Sequence, residues 1–582
     1  MKLIEALEAI KQNPAPEAQA LEIDLACGFA PLHFLTFLNA HLRRQFPGGR
    51  VLIETGLFGD LQGNLERLKT GKLAAVVAVI EWPDLDPRLG IRRLGGWLPR
   101  QLPGIVHSVR EQTSRLADVI QKIGLSRIVT LVLPTLPLPP AAFTPGWQSS
   151  AFENALREAV ASLGARLSAA PGIRVISSQR LERVSPPALR FDVRSELTAG
   201  FPYTVSHADA LAELVARALR SPAPKKGLIT DLDDTLWMGI LGEVNADGIA
   251  WDLDRRAQKH GLYQQLLASL AEAGVLVAVA TKNDPALVEE AFQRATPMIG
   301  RERIFPVEAG WAPKSESVSR ILRAWNIAAD SAVFIDDSPL DLAEVKAAHP
   351  EIECLRFPDD DAAAYQFLEE LRDRFGKQSI SAEDEIRLES LRTSRVAAEV
   401  AQSDGHSHER FLQQAEGKLS LAFSKDPPDP RALELVNKTN QFNLNGKRHT
   451  EASWKEYLSG PEVFLLLASY EDKFGPLGKI AVIAGRQEGP QEGQKVVVDH
   501  WVMSCRAFSR RIEHACLVHL LQRFGAAEAT FDFASTPRNG PLRDFFADLT
   551  GATPAAGLSI TARWLGEKCP PLYLQVREYA DG

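Results

Sequence analysis

Short apolar runs rich in β-branched residues recur along the first two thirds of the chain, and helix-like stretches separate them. Strands that alternate with helices in this way predict parallel sheets with helices on both faces. One series occupies residues 50–180 and contains VLIETGLF, AAVVAVI, RIVTLVLP and IRVIS. A second series contains GLITDLDDTLW, VLVAVATKND and AVFIDDSP, and the stretch SPAPKK at 221–226 separates the two. The sequence therefore predicts two successive doubly wound α/β domains.

The last third of the chain has a different pattern. A charged segment from Ser381 to about Arg410 has helical spacing and predicts a connecting helix. The strand-like runs VFLLLASYED, KIAVIAG and KVVVDHWVMS follow, and then a helical pattern from about Arg510 to Phe524. This order predicts an α+β domain in which a strand leads into a helix near Cys505. Because single cores stop growing near about 250–300 residues, we expect three domains, at 1–222, 223–380 and 381–582.

The composition argues against several kinds of partner. Basic and acidic side chains number 66 and 74, for a formal net charge of −8, and the sequence contains no basic stripe. We therefore expect no nucleic acid partner. No apolar run approaches the roughly 18–20 residues of a membrane span, and the first residues lack the pattern of a secretory signal. The five cysteines are scattered without metal-ligand spacing, which is typical of reduced thiols in a cytoplasmic protein.

The most specific chemical signal is DLDDTLW at 231–237, which directly follows the apolar run GLIT. Asp231 and Asp233 lie two residues apart at the carboxyl end of a predicted strand, and therefore on the same side. Two carboxylates with a metal ion between them suit in-line attack on phosphorus. Acidic pairs at strand ends also act as metal sites or caps, so this motif alone does not decide the chemistry.

Three further signals follow in order along the chain. They are Thr281 with Lys282 and Asn283 after the predicted strand VLVAVA, Lys314 in WAPKSES, and Asp336 with Asp337 after the predicted strand AVFI. Together with the DxDxT pattern, this order resembles the four motifs of the haloacid dehalogenase (HAD) superfamily, which has a Rossmann-like fold. The middle domain is therefore expected to carry out phosphoryl chemistry.

The resemblance implies a role for each residue. Asp231 is the expected nucleophile that forms an aspartyl-phosphate, and Asp233 is the expected general acid and base. Thr281 would hold the transferred phosphoryl group, and Lys314 would offset the charge on that group and on the nucleophile. The implied cofactor is Mg²⁺. Its candidate ligands are Asp231, Asp233, Asp336 and Asp337.

The spacing of the motifs bears on access to this site. Fifty residues separate Asp231 from Thr281, and 33 separate Thr281 from Lys314, which leaves no room for a large cap domain. We expect a hairpin near 237–251 and an open site, which can serve a bulky partner or be closed by another domain. Two further carboxylates, Asp234 and Asp341, are interpreted as a loop anchor and a helix cap.

Three longer stretches resemble the FkbH-like HAD proteins of polyketide biosynthesis. DLDDTLWMGILGE is similar to DLDNTLWGGVIGE in that family, NKTNQFNLN at 437–445 to NKTNQFNLT, and WVMSCR at 501–506 to WLMSCR. The resemblance implies an enzyme that takes the glyceryl unit of 1,3-bisphosphoglycerate, removes phosphate, and loads the acyl group on the phosphopantetheine thiol of an acyl carrier protein. The implied partners are thus a phosphorylated acyl donor and a carrier protein.

The C-terminal part of that family resembles an N-acetyltransferase (GNAT) fold with a glycine-bearing turn for pyrophosphate. The corresponding stretch here, RAFSRR at 506–511, lacks both glycines, so ordinary acetyl-CoA binding is not expected. Cys505 precedes this turn, where a helix N-terminus and the neighbouring Arg506 and Arg510 would lower the pKa of its thiol. It is a candidate acyl acceptor, and the alternative is a buried strand-end cysteine. The candidate base and orienting partners are His500, His514 and Asp499.

The amide-rich stretch at 437–445 is another candidate part of an acyl site. Its side chains can both donate and accept hydrogen bonds. They either shape a polar pocket or interdomain joint, or they bond only to one another. The candidate substrate-binding residues of the chain are Asn283, Asn437, Thr439, Asn440, Gln441, Asn443 and Arg506.

The N-terminal domain of the family resembles SGNH esterases, and residues 22–220 have a matching α/β rhythm. The esterase serine motif is replaced by LACG at 25–28, and His207 with Asp209 fits the partner motif poorly. We expect a degenerate, structural or carrier-docking domain here, with Cys27 as a nucleophile as the alternative.

Two other functions stay open for the whole chain. One is a magnesium-dependent HAD phosphatase of a small molecule with an attached acyltransferase domain. The other is a scaffold that docks carrier proteins without catalysis. The intact set of four motifs favours an enzyme.

Overall fold

The computed structural model describes most of the chain. It leaves out residues 12–19, 69–74, 382–383, 385–386, 390, 393–408, 410–411, 414, 426–427, 474, 489–494, 505–506, 509, 537 and 580–582. The chain divides into two compact units. The first comprises Met1–Pro222 and Thr450–Lys455, and the second comprises Ala223–His449 and Glu456–Gly582.

The first unit is built on a five-stranded sheet. Its strands are β1 (Ala20–Cys27), β2 (Arg50–Thr55), β3 (Ala75–Val79), β4 (Ile128–Val132) and β5 (Ile173–Val175). They lie in the order β2-β1-β3-β4-β5, and every neighbouring pair is parallel. The helices are α1 (Leu3–Lys11), α2 (Leu32–Gln45), α3 (Leu61–Arg67), α4 (Trp82–Leu85), α5 (Leu102–Gly124), α6 (Ala151–Ser168), α7 (Ser178–Val184), α8 (Val193–Ala199) and α9 (Val205–Leu219).

Helices cover both faces of this sheet, because its strands are apolar on both sides. Strand β3 is buried along its whole length, as expected for a parallel sheet between two helical layers. One core contains residues of α1, α2 and α9, and the other contains residues of α3, α5 and α6. The parallel, doubly wound arrangement predicted for this part of the chain is confirmed.

A second five-stranded parallel sheet opens the second unit. Its strands are β6 (Gly227–Thr230), β7 (Leu276–Thr281), β8 (Ile304–Ala309), β9 (Ala332–Asp336) and β10 (Glu353–Arg356). The order is β10-β9-β6-β7-β8. Its helices are α10 (Leu241–Gly248), α11 (Gln258–Glu272), α12 (Pro285–Ala295), α13 (Lys314–Trp325), α14 (Pro339–Ala348) and α15 (Asp361–Phe375). The core on one face draws on α11, α12 and α15, and the core on the other face draws on α13 and α14.

The strand order places a crevice at the carboxyl end of β6. This strand lies between β7 and β9, so the chain leaves it towards one side of the sheet and returns on the other. Ligands of open α/β sheets bind at such a switch point. The four predicted motifs all lie at or near this end of the sheet.

The segment after β6 differs from the predicted hairpin. Residues 231–275 are described throughout, and they form α10 and α11 rather than two paired strands. One isolated bridge between Met238 and Ala250 closes the loop around α10. A helix of eight residues is too small to act as a cap domain, so the expected absence of a large cap holds for this segment.

The third sheet is mixed. Its strands are β11 (Gly417–Phe423), β12 (Phe442–Asn443), β13 (Val463–Asp472), β14 (Gly475–Glu488), β15 (Lys495–Met503), β16 (Glu528–Phe531), β17 (Ser559–Thr561) and β18 (Leu574–Tyr579). Their order is β17-β16-β15-β14-β13-β11-β18, with β12 paired to β15. The accompanying helices are α16 (Pro430–Lys438), α17 (Glu451–Leu458), α18 (Ile512–Phe524), α19 (Gly540–Thr550) and α20 (Ala562–Lys568). Short 3₁₀ turns elsewhere in the chain lie at Pro87–Leu89, Pro99–Gln101, Pro187–Leu189, Arg301–Arg303 and Ala329–Ser331.

The predicted α+β character of this region is confirmed, and α18 begins two residues later than expected. Strand β16 pairs with β15 only as far as Val498. Beyond that point β12, which belongs to the amide-rich stretch, pairs with Val502 and Met503. Much of the predicted connecting helix from Ser381 to Arg410 lies outside the described residues. Among the helices that the structure describes, none has the length and apolar character that a membrane span requires.

Candidate active site

Asp231 occupies the position directly after β6, at the switch point of the sheet. Its backbone N–H donates to the carbonyl of Ile335 in β9 (2.9 Å), which extends the sheet by one residue. The side chain is 5% exposed. Its Oδ2 lies 3.1 Å from Lys314 Nζ, whereas its buried Oδ1 has no hydrogen-bond partner among the described residues.

Two further carboxylates lie beside Asp231. Asp336 is the last residue of β9 and Asp337 follows it, and carboxylate oxygens of these three residues lie within 4.8 Å of one another. Asp336 is fully buried, and its Oδ1 accepts a hydrogen bond from the backbone N–H of Ser338 (2.9 Å). The β-branched strands β6 and β9 therefore bring together acidic residues that are about 100 positions apart in sequence.

Lys314 is the cation at the centre of this cluster. It is the first residue of α13 and is 3% exposed. Its Nζ lies 2.6 Å from Asp336 Oδ2 and 3.3 Å from Asp341 Oδ2, in addition to its contact with Asp231. One ammonium group thus faces three buried carboxylates, so the cluster keeps a net negative charge.

Asp341 has a different position from the one predicted. It lies in the first turn of α14, but Ser338 caps this helix, because the Ser338 hydroxyl accepts from the Asp341 backbone N–H. The Asp341 carboxylate instead binds Lys314 and the Nζ of Lys282 (2.7 Å). The interpretation of Asp341 as a helix cap is therefore wrong. Its contact with Lys282 could not be predicted because the two residues are 59 positions apart.

The electrostatics follow from burial and charge. Burial raises the pKa of Asp231 to about 7, although the Lys314 ammonium opposes the shift. Burial likewise raises the pKa of Asp336 and of Asp337. Burial alone would lower the pKa of Lys314, but Asp231 and Asp336 outweigh it and raise that pKa. The carboxylates are thus short of positive charge even with Lys314 in place.

Asp233 lies apart from the carboxylate cluster. Its Oδ1 accepts hydrogen bonds from Trp237 Nε1 (3.1 Å) and from the backbone N–H of Leu241 (3.1 Å). Its Oδ2 accepts from Asn283 Nδ2 (3.0 Å), which also donates to Thr281 Oγ1 (3.0 Å). Asn283 therefore connects the ends of β6 and β7 and fixes the orientation of both predicted site residues.

The rest of the DxDxT segment shapes the loop. Asp234 has a left-handed backbone (φ 50°), and its Oδ1 accepts from the Gly239 backbone N–H (2.8 Å), so it is the predicted loop anchor. Thr235 is fully buried, and its hydroxyl lies 3.3 Å from Asp337 Oδ1. The DxDxT pattern contains this threonine, and its contact with Asp337 is the site feature that the sequence interpretation missed.

The donor set fits a magnesium ion. Mg²⁺ prefers carboxylate oxygens and water, and it uses few protein ligands. The buried and unpartnered Oδ1 of Asp231 supplies one such oxygen, and Asp336 and Asp337 supply the others. A buried carboxylate oxygen without a donor is costly, and a divalent cation would remove that cost.

The predicted substrate-binding residues of the amide-rich stretch have separate roles. Asn437 is paired with the backbone of His449, donating from Nδ2 to its carbonyl (2.7 Å) and accepting at Oδ1 from its N–H (2.9 Å). Asn443 is buried and binds the backbone of Thr439 and Gly446. Asn440 Oδ1 accepts from Arg448 (2.6 Å). Asn437 and Asn443 thus hold the segment together, whereas Thr439, Asn440 and Gln441 line a cavity.

Cys505 and Arg506 lie outside the described residues. Their proposed partners are described, and each has another contact. His500 Nε2 lies 3.0 Å from His449 Nε2, and burial lowers the pKa of His500 to about 3. The Asp499 carboxylate binds Arg486 (2.8 Å) and the Tyr457 hydroxyl (2.9 Å). His514 Nδ1 lies 3.3 Å from Glu513 Oε1.

The first unit offers no comparable cluster within its described residues. Cys27 ends β1 and is buried, and its thiol donates to the carbonyl of Phe29 (3.2 Å). Burial and the nearby Asp84 carboxylate raise the pKa of Cys27 to about 12. His207 is fully buried between the hydroxyls of Thr135 (3.0 Å) and Ser185 (2.9 Å). A protonated thiol and a neutral, enclosed imidazole are poorly suited to nucleophilic catalysis.

Comparison with solved structures bears on the fold. The chain is similar to the N-terminal part of the protein BF1531 from Bacteroides fragilis, described as containing a phosphatase domain complexed with Mg. The TM-score is 0.50 at 16% identity, over 65% of this chain and all of that one. At this identity the likeness establishes the fold, a mixed α/β architecture with Rossmann-like parallel sheets.

Two other solved structures align less well. An uncharacterized protein from Corynebacterium glutamicum aligns with 26% of this chain and 98% of its own, at 19% identity and a TM-score of 0.19. A GCN5-related glucosamine N-acetyltransferase region of a fungal multi-domain enzyme aligns at 9% identity, with 94% and 66% coverage and a TM-score of 0.12. These scores carry no argument about the fold. No protein-family model and no curated protein matches the chain.

Proposed function

We propose that the chain is a magnesium-dependent phosphatase of the HAD type, with Asp231 as the nucleophile. The observation that carries the proposal is the cluster of Asp231, Asp336 and Asp337 around Lys314 at the carboxyl end of a parallel sheet. The buried Oδ1 of Asp231, which has no donor among the described residues, is available either to a metal ion or to phosphorus. The comparison adds support, because the similar solved structure is described as a phosphatase domain complexed with Mg.

Each residue of the site has its own role in the first step of the proposed reaction. A bound Mg²⁺, held by Asp231, Asp336 and Asp337, would supply positive charge that lets the anionic phosphoryl group approach the carboxylate. The Asp231 carboxylate attacks phosphorus and forms an aspartyl-phosphate, and the leaving oxygen departs on the opposite side. Lys314 stabilises the added negative charge from one side.

Asp233 and Thr281 complete the proposed reaction. The Asp233 carboxyl group, in its protonated form, transfers its proton to the leaving oxygen, and the carboxylate so formed accepts a proton from the water that hydrolyses the aspartyl-phosphate. Thr281 and Asn283 supply a hydroxyl and an amide at the end of β7 for the phosphoryl oxygens. Because Asn283 bonds to both Asp233 and Thr281, it keeps the acid and the phosphoryl pocket in register.

The direct test is phosphate release by the purified chain with p-nitrophenyl phosphate and acyl phosphates. EDTA should abolish release and Mg²⁺ should restore it. Asp231→Asn should reduce turnover by about 1000-fold or more, since the amide is nearly isosteric but a poor nucleophile. Circular dichroism controls for folding. Turnover above a few per cent of wild type in the variant would assign the nucleophile to another residue.

The finer proposal concerns substrate and partner. The three signatures shared with FkbH-like proteins favour an acyl phosphate such as 1,3-bisphosphoglycerate as donor and an acyl carrier protein as acceptor. In this proposal the first unit is a degenerate SGNH-like domain and the third sheet belongs to a GNAT-like acyl-transfer domain. The cytoplasm would be the compartment of such an enzyme.

One experiment separates this proposal from its two alternatives. A carrier protein is incubated with the chain, Mg²⁺ and 1,3-bisphosphoglycerate, and its mass is measured. A mass gain of one glyceryl unit supports transfer. Release of phosphate without that gain supports a phosphatase with a separate acyltransferase activity, and absence of both supports a docking scaffold.

The role of Cys505 is tested in the same system. In this proposal the Cys505 thiolate attacks the acyl carbon and expels the phosphate bound to it, and Asp231 removes the phosphate ester at the other end of the substrate. The protein incubated with substrate alone should then carry a hydroxylamine-sensitive adduct on the peptide that holds Cys505. Cys505→Ser should then block loading of the carrier and leave phosphate release by Asp231 in place. An adduct on Cys27 or Cys516, or normal loading by the variant, would return Cys505 to a packing role.

A further inference from the structure

A cavity of about 130 Å³ lies in the second unit, away from the carboxylate cluster. One side of its wall comes from the start of β6 and β7 and the end of α13, and the other comes from α16, the amide-rich stretch and the end of β15. We call it the basic cavity. Its polar lining includes Lys226, Arg431, Glu434, Lys438, Gln441 and Ser504.

The basic cavity is separate from the proposed phosphoryl site. Lys226 precedes β6 and Leu276 opens β7, whereas Asp231 follows β6 and Thr281 ends β7. The cavity and the carboxylate cluster therefore lie at opposite ends of the same strands. With about 3.3 Å per residue, five residues of strand separate them by roughly 15 Å. A small substrate held at Asp231 does not reach the cavity, so this is a second site.

The charge of the lining favours an anion. Four cations line the cavity, and Glu434 is the single carboxylate among the lining residues. Arg431 (2.6 Å) and Lys438 (2.8 Å) both bind this one carboxylate. Two positive charges therefore share one negative charge, whereas the Arg387 guanidinium binds the Asp384 carboxylate, which is not part of the lining. Clustered guanidinium and ammonium groups recognise phosphate through charge-assisted hydrogen bonds.

The wall also carries an acceptor and an apolar surface. Gln441 Oε1 is buried without a hydrogen-bond partner among the described residues, so it is available to accept from an N–H or O–H donor of a ligand. Trp325, Leu435 and Met503 supply an aliphatic and aromatic surface. Anion, donor and short apolar chain are thus the three features that the lining recognises.

We propose that the basic cavity binds a phosphorylated compound in which a short chain links the phosphate to a hydroxyl or amide donor. Two sources supply this chemistry: a free small phosphate ester, or a phosphopantetheine arm with its amide groups. Ser504 also lies on the cavity wall, and Cys505, which follows it in sequence, lies outside the described residues. The proposal does not depend on phosphoryl transfer at Asp231.

The test measures binding in EDTA, so that phosphate does not bind through metal at the carboxylate cluster. The probes are 4′-phosphopantetheine, glycerol 3-phosphate and inorganic phosphate. Isothermal titration calorimetry measures the binding of each probe. Hydrogen exchange of the wild-type chain is followed in parallel, and the peptide containing Thr439–Gln441 should gain protection with the bound probe. Tighter binding of phosphopantetheine identifies a prosthetic arm as the source, and tighter binding of glycerol 3-phosphate identifies a free ester. Absence of protection with every probe overturns the proposal.

Two variants assign the binding to the cavity. Lys438→Met should weaken binding of the preferred phosphorylated probe about tenfold. Lys418→Met is the matched control, because Lys418 is also about half exposed and ion-paired (47% exposed, 3.1 Å from Glu471, against 44% and 2.8 Å for Lys438). Gln441→Met should weaken binding of phosphopantetheine and of glycerol 3-phosphate, but leave inorganic phosphate unchanged. Equal losses in Lys438→Met and Lys418→Met would show non-specific charge attraction and overturn the proposal.

Discussion

The carboxyl ends of the two five-stranded parallel sheets both carry buried carboxylates, but only one set has the hydrogen bonds it needs. In the first unit, Glu81 lies just beyond β3 and is 3% exposed. It accepts from the Thr135 hydroxyl (2.5 Å), from the Tyr203 hydroxyl (2.8 Å) and from the backbone N–H groups of Thr135 and Leu136. In the second unit, Asp231 is equally buried, and its Oδ1 has no donor within the described residues.

The comparison shows what distinguishes a structural from a reactive end of the same architecture. Both carboxylate oxygens of Glu81 accept hydrogen bonds, and the donors all belong to residues of its own unit. Asp231 shares one lysine with two other carboxylates, and the group is short of positive charge. A parallel sheet provides the position in both cases, and the balance of donors and acceptors decides whether chemistry is available there.

The largest effect is expected from removing the central cation. Lys314→Met should reduce phosphate release by about 100- to 1000-fold, because a preorganised charge that stabilises the transition state is lost. Asp231 and Asp336 would then repel each other without the ammonium group that lies between them, so the variant should also gain more thermal stability from Mg²⁺ than the wild type does. Turnover assays measure the loss of phosphate release, and thermal denaturation with and without Mg²⁺ measures the gain in stability.

Lys377→Met is a matched control for this change. Lys377 is largely buried, with a side chain that is 16% exposed, and it pairs with an aspartate, Asp384 (2.8 Å), but it lies outside the cluster. Lys377→Met should lower the stability of the protein and leave turnover per folded molecule unchanged. A comparable loss of turnover in both variants would mean that Lys314 acts through folding alone.

The next effect concerns Glu81, the carboxylate whose oxygens already accept hydrogen bonds within its own unit. Glu81→Gln places an amide N–H₂ against hydroxyl and backbone donors, and it should lower the free energy of unfolding by about 1–3 kcal/mol. Phosphate release per folded molecule should not change, because Glu81 belongs to the other unit. Urea denaturation measures the stability, with the exposed Glu158→Gln as control. Loss of phosphate release at full stability would contradict a purely structural role for this sheet end.

Some of this comparison can be predicted from sequence, and the reason is local. Asp231, Thr281 and Asp336 each end an apolar run, and the carboxyl ends of parallel strands meet at one edge. The order of the motifs therefore predicts their proximity without any knowledge of side-chain contacts. The contact of Asp341 with Lys282 depends on two separate loops, and no local pattern specifies it.

The predicted hairpin near 237–251 shows the opposite case. Gly239 and Asn245 have left-handed backbones (φ 103° and 55°), and such residues between apolar positions are typical of hairpin turns. Here Gly239 precedes a short helix and Asn245 bends it, and an isolated bridge between Met238 and Ala250 joins the two ends of the segment. Likewise β12 has only two residues, and its pairing with a distant strand leaves no periodic signal in the sequence.

A smaller effect links the metal to pH. Without metal, a carboxyl group whose pKa is raised on folding costs stability as the pH rises from its ordinary value near 3.8 through about 7, where Asp231 becomes ionised. Mg²⁺ binds the ionised form and must displace the proton below that pH. Affinity for Mg²⁺ should therefore fall about tenfold per pH unit below 7. Calorimetry at pH 6 and 8 measures the affinity for Mg²⁺, and this affinity should depend less on pH in Asp231→Asn.

The smallest effect is expected at the thiol that ends β1. Burial and Asp84 raise the pKa of Cys27 to about 12, so at pH 8 about one thiol in ten thousand is ionised. The thiol also donates to Phe29 within its own domain. Native Cys27 should therefore resist iodoacetamide until the protein is unfolded, and Cys27→Ser should leave phosphate release and any hydrolysis of p-nitrophenyl acetate unchanged. Rapid alkylation of the native thiol, or an esterase activity that disappears in Cys27→Ser, would show that this sheet end is reactive as well. The two sheets would then differ in the kind of reaction they support, and not in whether they support one.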